Sequence, residues 1–172
     1  MTSPRAAGMP ARAKLLRRCC DTKITGLSAS AAAVRARSCR TEAALAGHLT
    51  QVITQLEPET LGLYASIRSE FNAVVALGAD AFCATLPWAL PFCHREAREM
   101  DYRQWDRREK MVPDECGIAS AAGSVVVPDV VLVPCVGYAD GHYRLGYGGG
   151  YFDRYLAKHP HVTTVGVAWS FT

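Results

Sequence analysis

Residues 130–136 read Val130-Val131-Leu132-Val133-Pro134-Cys135-Val136, and residues 144–154 read Arg144-Leu145-Gly146-Tyr147-Gly148-Gly149-Gly150-Tyr151-Phe152-Asp153-Arg154. The first run is apolar and β-branched, the composition of a strand buried on both faces. The second is a glycine loop that opens a helix expected from about Tyr151 to Lys158. Buried strand, glycine loop and helix in that order predict an α/β sheet with a ligand at the carboxyl end of its strands. Four glycines in five positions leave Tyr147 as the one β-carbon of the loop, so backbone amides can close on a phosphate. The helix N-terminus behind them favours an anion. Arg144 offers a bidentate guanidinium to a phosphoryl group, and Asp153 a hard oxygen for Mg²⁺. A Walker loop would end in Gly-Lys-Ser/Thr, but Gly150 is followed by Tyr151; the dinucleotide fingerprint fails because the third residue after Gly148 is also Tyr151.

Outward from this stretch, strands alternate with helices. Ser28 is a candidate N-cap for a long helix through about Gln55, with Leu45, Leu49, Val52, Ile53 and Leu56 forming an apolar stripe and Glu57-Pro58 ending it. Leu61 to Ala65 is a short strand followed by a polar loop carrying Arg68 and Glu70, and residues 71–78 form a helix ended by Gly78. Asp80 to Leu86 is expected as a buried strand stopped by Pro87, and Met100 to Trp105 alternates as an edge strand does. Val125–Val127 and Val130–Val136 are the strongest strand signals, and Thr163 to Ala168 the last. Near-continuous apolar strands predict a mainly parallel sheet covered on both faces. Residues 1–12 are expected as a disordered leader and 13–172 as one domain, a length sufficient for a core of its own.

Charge is asymmetric. Residues 1–40 hold nine basic side chains against the single acid Asp21, giving +8, while ten basic and fifteen acidic residues leave the remainder at −5. A basic head on an acidic body points to phosphate as its partner. The head also has the Arg- and Ala-rich composition of an organellar transit peptide. No apolar run reaches the roughly 18 residues of a membrane-spanning helix. The seven cysteines include no C-x-x-C pair and no zinc-finger spacing, which predicts reduced thiols and a cytoplasmic setting. Nucleic-acid binding would rest on the basic head alone, with no RNA or DNA module beside it, so neither nucleic acid nor membrane is expected as a partner.

The motif at 144–154, with Val133-Pro134 and Gly137-Tyr138 before it, resembles the signature of the 5-formyltetrahydrofolate cyclo-ligase family. The resemblance runs from about Lys14 to Ala168, strongest at 129–154. It implies a Rossmann-like three-layer α/β/α sandwich, and an enzyme that uses ATP and Mg²⁺ to convert 5-formyltetrahydrofolate to 5,10-methenyltetrahydrofolate with release of ADP and phosphate. The formyl oxygen would attack the γ-phosphate, N10 would close on the activated carbon, and phosphate would leave. The chemistry demands positioning and the spreading of phosphoryl charge more than a protein nucleophile.

Carried over residue by residue, the resemblance assigns ATP phosphates to Lys14, Arg17 and Arg18 of the basic head. Arg144 and the run Gly146, Tyr147, Gly148, Gly149, Gly150, Tyr151 and Phe152 would form a loop shared by ATP and folate, with Arg144 and Tyr151 acting in catalysis. The folate side would be Tyr64, Glu70, Met100 and Trp105 together with Tyr147, Gly148, Gly149, Gly150 and Tyr151, and Asp153 would bind Mg²⁺. A monomer or weak dimer is expected, and a non-catalytic folate- or nucleotide-binding module is the alternative. Three departures stand out. Cys135-Val136-Gly137-Tyr138-Ala139 replaces the family's Gly-Leu-x-Phe-Asp, and Gly117-Ile118-Ala119-Ser120-Ala121 replaces Gly-Ile-x-Glu-Pro. The domain is also expected to be short at its C-terminal end, where the family carries a Gln and a further acidic Mg²⁺ ligand.

Overall fold

Val130–Pro134 is the strand around which the sheet assembles in the computed structural model, which describes residues 31–139 and 143–169. Along the chain the elements are α1 (Ala31–Leu56), β1 (Leu61–Gly62), α2 (Ala73–Gly78), a 3-10 turn at Cys83–Thr85, β2 (Trp88–His94), β3 (Glu99–Trp105), β4 (Val112–Pro113), β5 (Ala119–Ser120), β6 (Val125–Val126), β7 (Val130–Pro134), β8 (Gly137–Ala139), β9 (Tyr143–Leu145), α3 (Tyr151–Lys158) and β10 (Thr163–Val167). A six-stranded sheet runs β10-β7-β1-β2-β3-β6, and β4-β5 and β8-β9 are two-stranded ribbons.

The sheet is mixed. β10, β7, β1 and β2 pair in parallel, whereas β2-β3 and β3-β6 are antiparallel. Continuous apolar runs predict the parallel part, because those strands bury both faces. Val130 and Leu132 pack in one core cluster with Leu45, Leu49 and Ile53 of α1 and Leu77 of α2. Val131 and Val133 pack in a second cluster with Tyr155 of α3. The alternating polarity of 100–105 belongs to β3, where Met100 and Tyr102 are buried and their neighbours are partly exposed. This strand lies one place in from the edge, since β6 pairs with it at Tyr102 and Arg103.

The helical predictions hold within the described residues. The α1 stripe faces the core, and the helix ends where Glu57 turns to a φ of 45° before Pro58. Ser28, its expected cap, lies outside the described residues. Asn72 caps α2 by accepting from the Val75 amide at 3.1 Å.

The strand expected at 80–86 is overturned as well. Asp80 to Leu86 forms turns and the short 3-10 segment rather than a strand. Asp80 Oδ1 accepts from the amides of Phe82 and Cys83, at 3.0 and 2.9 Å, and this local bonding offers the backbone an alternative to a ladder. The strand instead follows Pro87, at Trp88–His94, in a stretch that Pro91 disguises. Pro91 fits there because β1 pairs with β2 only at Trp88 and Ala89, so the missing N–H breaks no ladder bond toward β1.

Candidate functional site

A cavity of about 440 Å³ opens at the carboxyl ends of β1, β2 and β7. This is where an α/β sheet offers space between diverging loops. Four segments wall it: Tyr64 to Glu70 after β1, Pro91 and Cys93 of β2, Asp114 and Ile118 of the β4-β5 ribbon, and Pro134 with Arg144 to Asp153. The β8-β9 ribbon feeds the last segment from the end of β7, with the Val136 amide bonded to the Leu145 carbonyl at 2.8 Å.

The glycine loop takes a shape that its composition permits. Gly148 and Gly150 have φ of +85° and +66°, a region that costs other residues roughly 1–2 kcal/mol. Gly150 is the N-cap of α3, so the chain swings through the left-handed region directly into the helix. Arg144, at the end of β9, donates to Asp153 Oδ1 at 2.6 Å and lies 5.7 Å from the Phe152 ring. Phe152 itself packs against both core clusters and anchors the start of the helix. Tyr147 is exposed beneath the Arg68 guanidinium, 5.0 Å away. The Tyr151 hydroxyl is 3.3 Å from Cys116 Sγ, and that hydrogen bond holds its pKa above the usual phenol value.

The opposite wall is more buried. Tyr64 is nearly inaccessible and donates its hydroxyl to the Phe71 carbonyl at 2.9 Å; burial, then the charge of Glu70, push its pKa upward. Glu70 accepts from the Ile67 amide at 2.9 Å, yet burial outweighs that bond and raises its carboxyl pKa. Ionising Glu70 in the folded protein therefore works against folding, a cost that builds as pH rises from the ordinary carboxylate range and is complete above the raised value. Glu70→Gln keeps an acceptor for Ile67 and is expected to melt at a higher temperature than the parent at pH 8. That advantage should shrink as pH falls toward 4, and equal melting temperatures at pH 8 would refute it.

Asp114 organises the third wall. It is buried and accepts from the amides of Cys93 at 3.1 Å, Cys116 at 2.9 Å and Ile118 at 2.8 Å. His94 braces the same ribbon, 2.7 Å from Asp101 and 3.2 Å from Glu115. Hydrogen bonding to Asp101 and then Glu115 lifts the imidazole pKa above its ordinary value.

Of the residues singled out from sequence, Tyr64, Glu70, Arg144, Gly146, Tyr147, Gly148, Gly149, Gly150, Tyr151, Phe152 and Asp153 line this one cavity. Met100 and Trp105 do not. Met100 is buried in the second core cluster because strand alternation turns it there. Trp105 pairs with Trp88 at the far end of β2, six residues and about 20 Å from His94. Lys14, Arg17 and Arg18 lie outside the described residues. Among the described residues, no group of three or more His, Cys, Asp or Glu is gathered as a metal site, and Asp153 is the carboxylate nearest the loop in sequence. Also among them, no helix is long and apolar enough to cross a membrane. Cys93, Asp114 and Cys116 escape a sequence reading because strands and loops distant along the chain bring them in.

A sequence model described as the 5-formyltetrahydrofolate cyclo-ligase family matches residues 15–171. The chain belongs to that family. Within the cyclo-ligases, a 44-residue segment is 46% identical to a protein of Mycoplasma pneumoniae (strain ATCC 29342 / M129 / Subtype 1) named 5-formyltetrahydrofolate cyclo-ligase. That match covers 25% of this chain and spans 27% of the relative's length. The fold is similar to the NMR structure of Aquifex aeolicus 5,10-methenyltetrahydrofolate synthetase, with a TM-score of 0.57 and 23% identity over 92% of this chain and 78% of that one. A 5,10-methenyltetrahydrofolate synthetase structure from Mycoplasma pneumoniae aligns with a TM-score of 0.49 and 20% identity over 86% of this chain and 75% of that one.

Proposed function

We propose that this cyclo-ligase family member closes the ring of 5-formyltetrahydrofolate to give 5,10-methenyltetrahydrofolate, using ATP and releasing ADP and phosphate. The observation that carries the reading is the convergence of Arg144, the positive-φ glycine loop and the half-buried Glu70 on one cavity. A loop of backbone amides beside a guanidinium suits a transferring phosphoryl group. A half-buried carboxyl, more readily protonated than usual, suits a hydrogen-bonding pterin edge. The same reading takes residues 13–172 as one Rossmann-like α/β/α unit, supported by core clusters that contain alternate residues of β7.

In this reading Lys14, Arg17 and Arg18 of the basic head reach the ATP phosphates. Arg144 stabilises charge on the γ-phosphoryl group as the formyl oxygen attacks it, and the glycine amides hold the phosphate oxygens. Tyr147 and Tyr151 present flat faces and hydroxyls to the pterin, while Tyr64 supports the wall behind Glu70. N10 then attacks the activated formyl carbon, the carbon–oxygen bond breaks and phosphate departs. Mg²⁺, when bound, neutralises phosphate charge. Asp153 would hold it together with the phosphates and water, the mode in which Mg²⁺ needs only one or two protein carboxylates.

The test is direct. Purified protein with ATP, Mg²⁺ and 5-formyltetrahydrofolate is expected to generate the absorbance of the methenyl product. No absorbance change at saturating substrates would remove the catalytic reading, and a thermal shift with either ligand would then mark a binding module.

A further inference from the structure

We propose that Arg154 is a positioning residue that pre-shapes the glycine loop for phosphate by fastening it to the β2-β3 turn; the inference rests on the proposed function above. Arg154 lies in α3, one turn beyond the loop. Its Nη2 donates to the Gly149 carbonyl at 2.8 Å, and its Nε donates to the carbonyl of Arg98 in the turn between β2 and β3. Its guanidinium also lies 5.3 Å from the Tyr151 ring. A β-carbon on Gly150 would come within 2.7 Å of Arg154 Nη1, so this side chain fits against the loop backbone itself. One planar fork thus joins three things: the loop, the first residue of the helix and a turn from another part of the sheet.

The consequence for binding follows from peptide geometry. In a trans peptide the carbonyl and the following N–H point in opposite directions. Holding the Gly149 carbonyl toward Arg154 turns the Gly150 amide away from it, and Gly150 already has a left-handed φ. Without that anchor, a run of three glycines samples many conformations, and a ligand must supply the ordering. Arg98 is suited to its part because its own φ of 53° reverses the hairpin there. A second tie runs from the same helix to the start of β3, Lys158 Nζ to Glu99 Oε1 at 2.6 Å, but it touches no loop residue. Lys158 is therefore an internal control.

Arg154→Ala, Arg154→Lys and Lys158→Ala are compared with the parent in two ways: amide hydrogen exchange of residues 146–150 without ligand, and steady-state methenyl formation. For Arg154→Ala, loop exchange is expected to rise several-fold while β7 and β10 are unchanged. The KM for ATP should rise about tenfold with kcat held within about threefold, the pattern of lost pre-organisation. Arg154→Lys, with one ammonium in place of the fork, should fall between the two and serves if the alanine variant does not fold. Lys158→Ala should match the parent in both measurements. Unchanged loop exchange in both Arg154 variants, or a fall in kcat with an unchanged ATP KM, would overturn the proposal. If the parent forms no methenyl product, the proposed function fails while the exchange measurement still decides the role of Arg154.

Discussion

Arg144→Ala is expected to lower kcat/KM for methenyl formation by about 10²–10³-fold, the scale on which removing one preorganised donor at a developing charge acts. Arg144 is the guanidinium of the cavity that immediately precedes the glycine loop, and its side chain is only 21% exposed. In the structure it is paired with Asp153, so alanine removes two things together: the cation proposed to meet phosphate and the partner that orients the Asp153 carboxylate. Arg144→Lys keeps the charge but not the planar fork and should recover only part of the activity. The fold should tolerate either change, because the Arg144–Asp153 pair is partly exposed and such pairs add little to stability. Steady-state kinetics beside a thermal melt test this. Activity within tenfold of the parent, with an unchanged melting temperature, would remove Arg144 from the catalytic assignment.

The largest effect on stability is expected from Trp88→Ala, at about 3–5 kcal/mol, a large part of the 5–15 kcal/mol typical of a whole domain. Trp88 is fully enclosed at the start of β2, donates its indole N–H to the Cys83 carbonyl at 2.9 Å and lies 6.1 Å from Trp105 between ring centres. Alanine would leave a cavity between β2 and α2 and leave the Cys83 carbonyl with only the longer bond from the Leu86 amide, at 3.3 Å. Urea unfolding reads the loss, and a change under about 1 kcal/mol would show that Trp88 does not carry this packing. Trp88 stands at the opposite end of β2 from the cavity. The folded fraction should therefore turn over normally, separating this variant from Arg144→Ala.

Trp88 also illustrates which parts of the fold were hidden. The residues around it read poorly because Pro87 and Pro91 punctuate the run, while the apolar residues of 80–86 mimic a strand. What separates the two segments is non-local. Residues 88–94 gain β1 on one side and β3 on the other, whereas 80–86 bond locally: the amides of Phe82 and Cys83 to the Asp80 side chain, and those of Ala84, Thr85 and Leu86 to backbone carbonyls within the segment. Met100 and Trp105 teach the same lesson about the site. Their residue types suit a folate wall, but strand register sends one into the core and the other to the far end of the sheet.

The sequence by itself determined the α/β class, the family, the helix at 151–158 and the glycine loop before it, because each depends on residues adjacent along the chain. Positive φ favours glycine, buried strands favour branched apolar residues, and both signals are local. Only the tertiary structure decided that the sheet turns antiparallel at β3 and that Asp114 builds a wall of the cavity. It alone joined Arg154 to a turn 56 residues away. Those outcomes depend on which segments meet across the sheet, and that is settled by burial and hydrogen bonding among residues far apart in sequence.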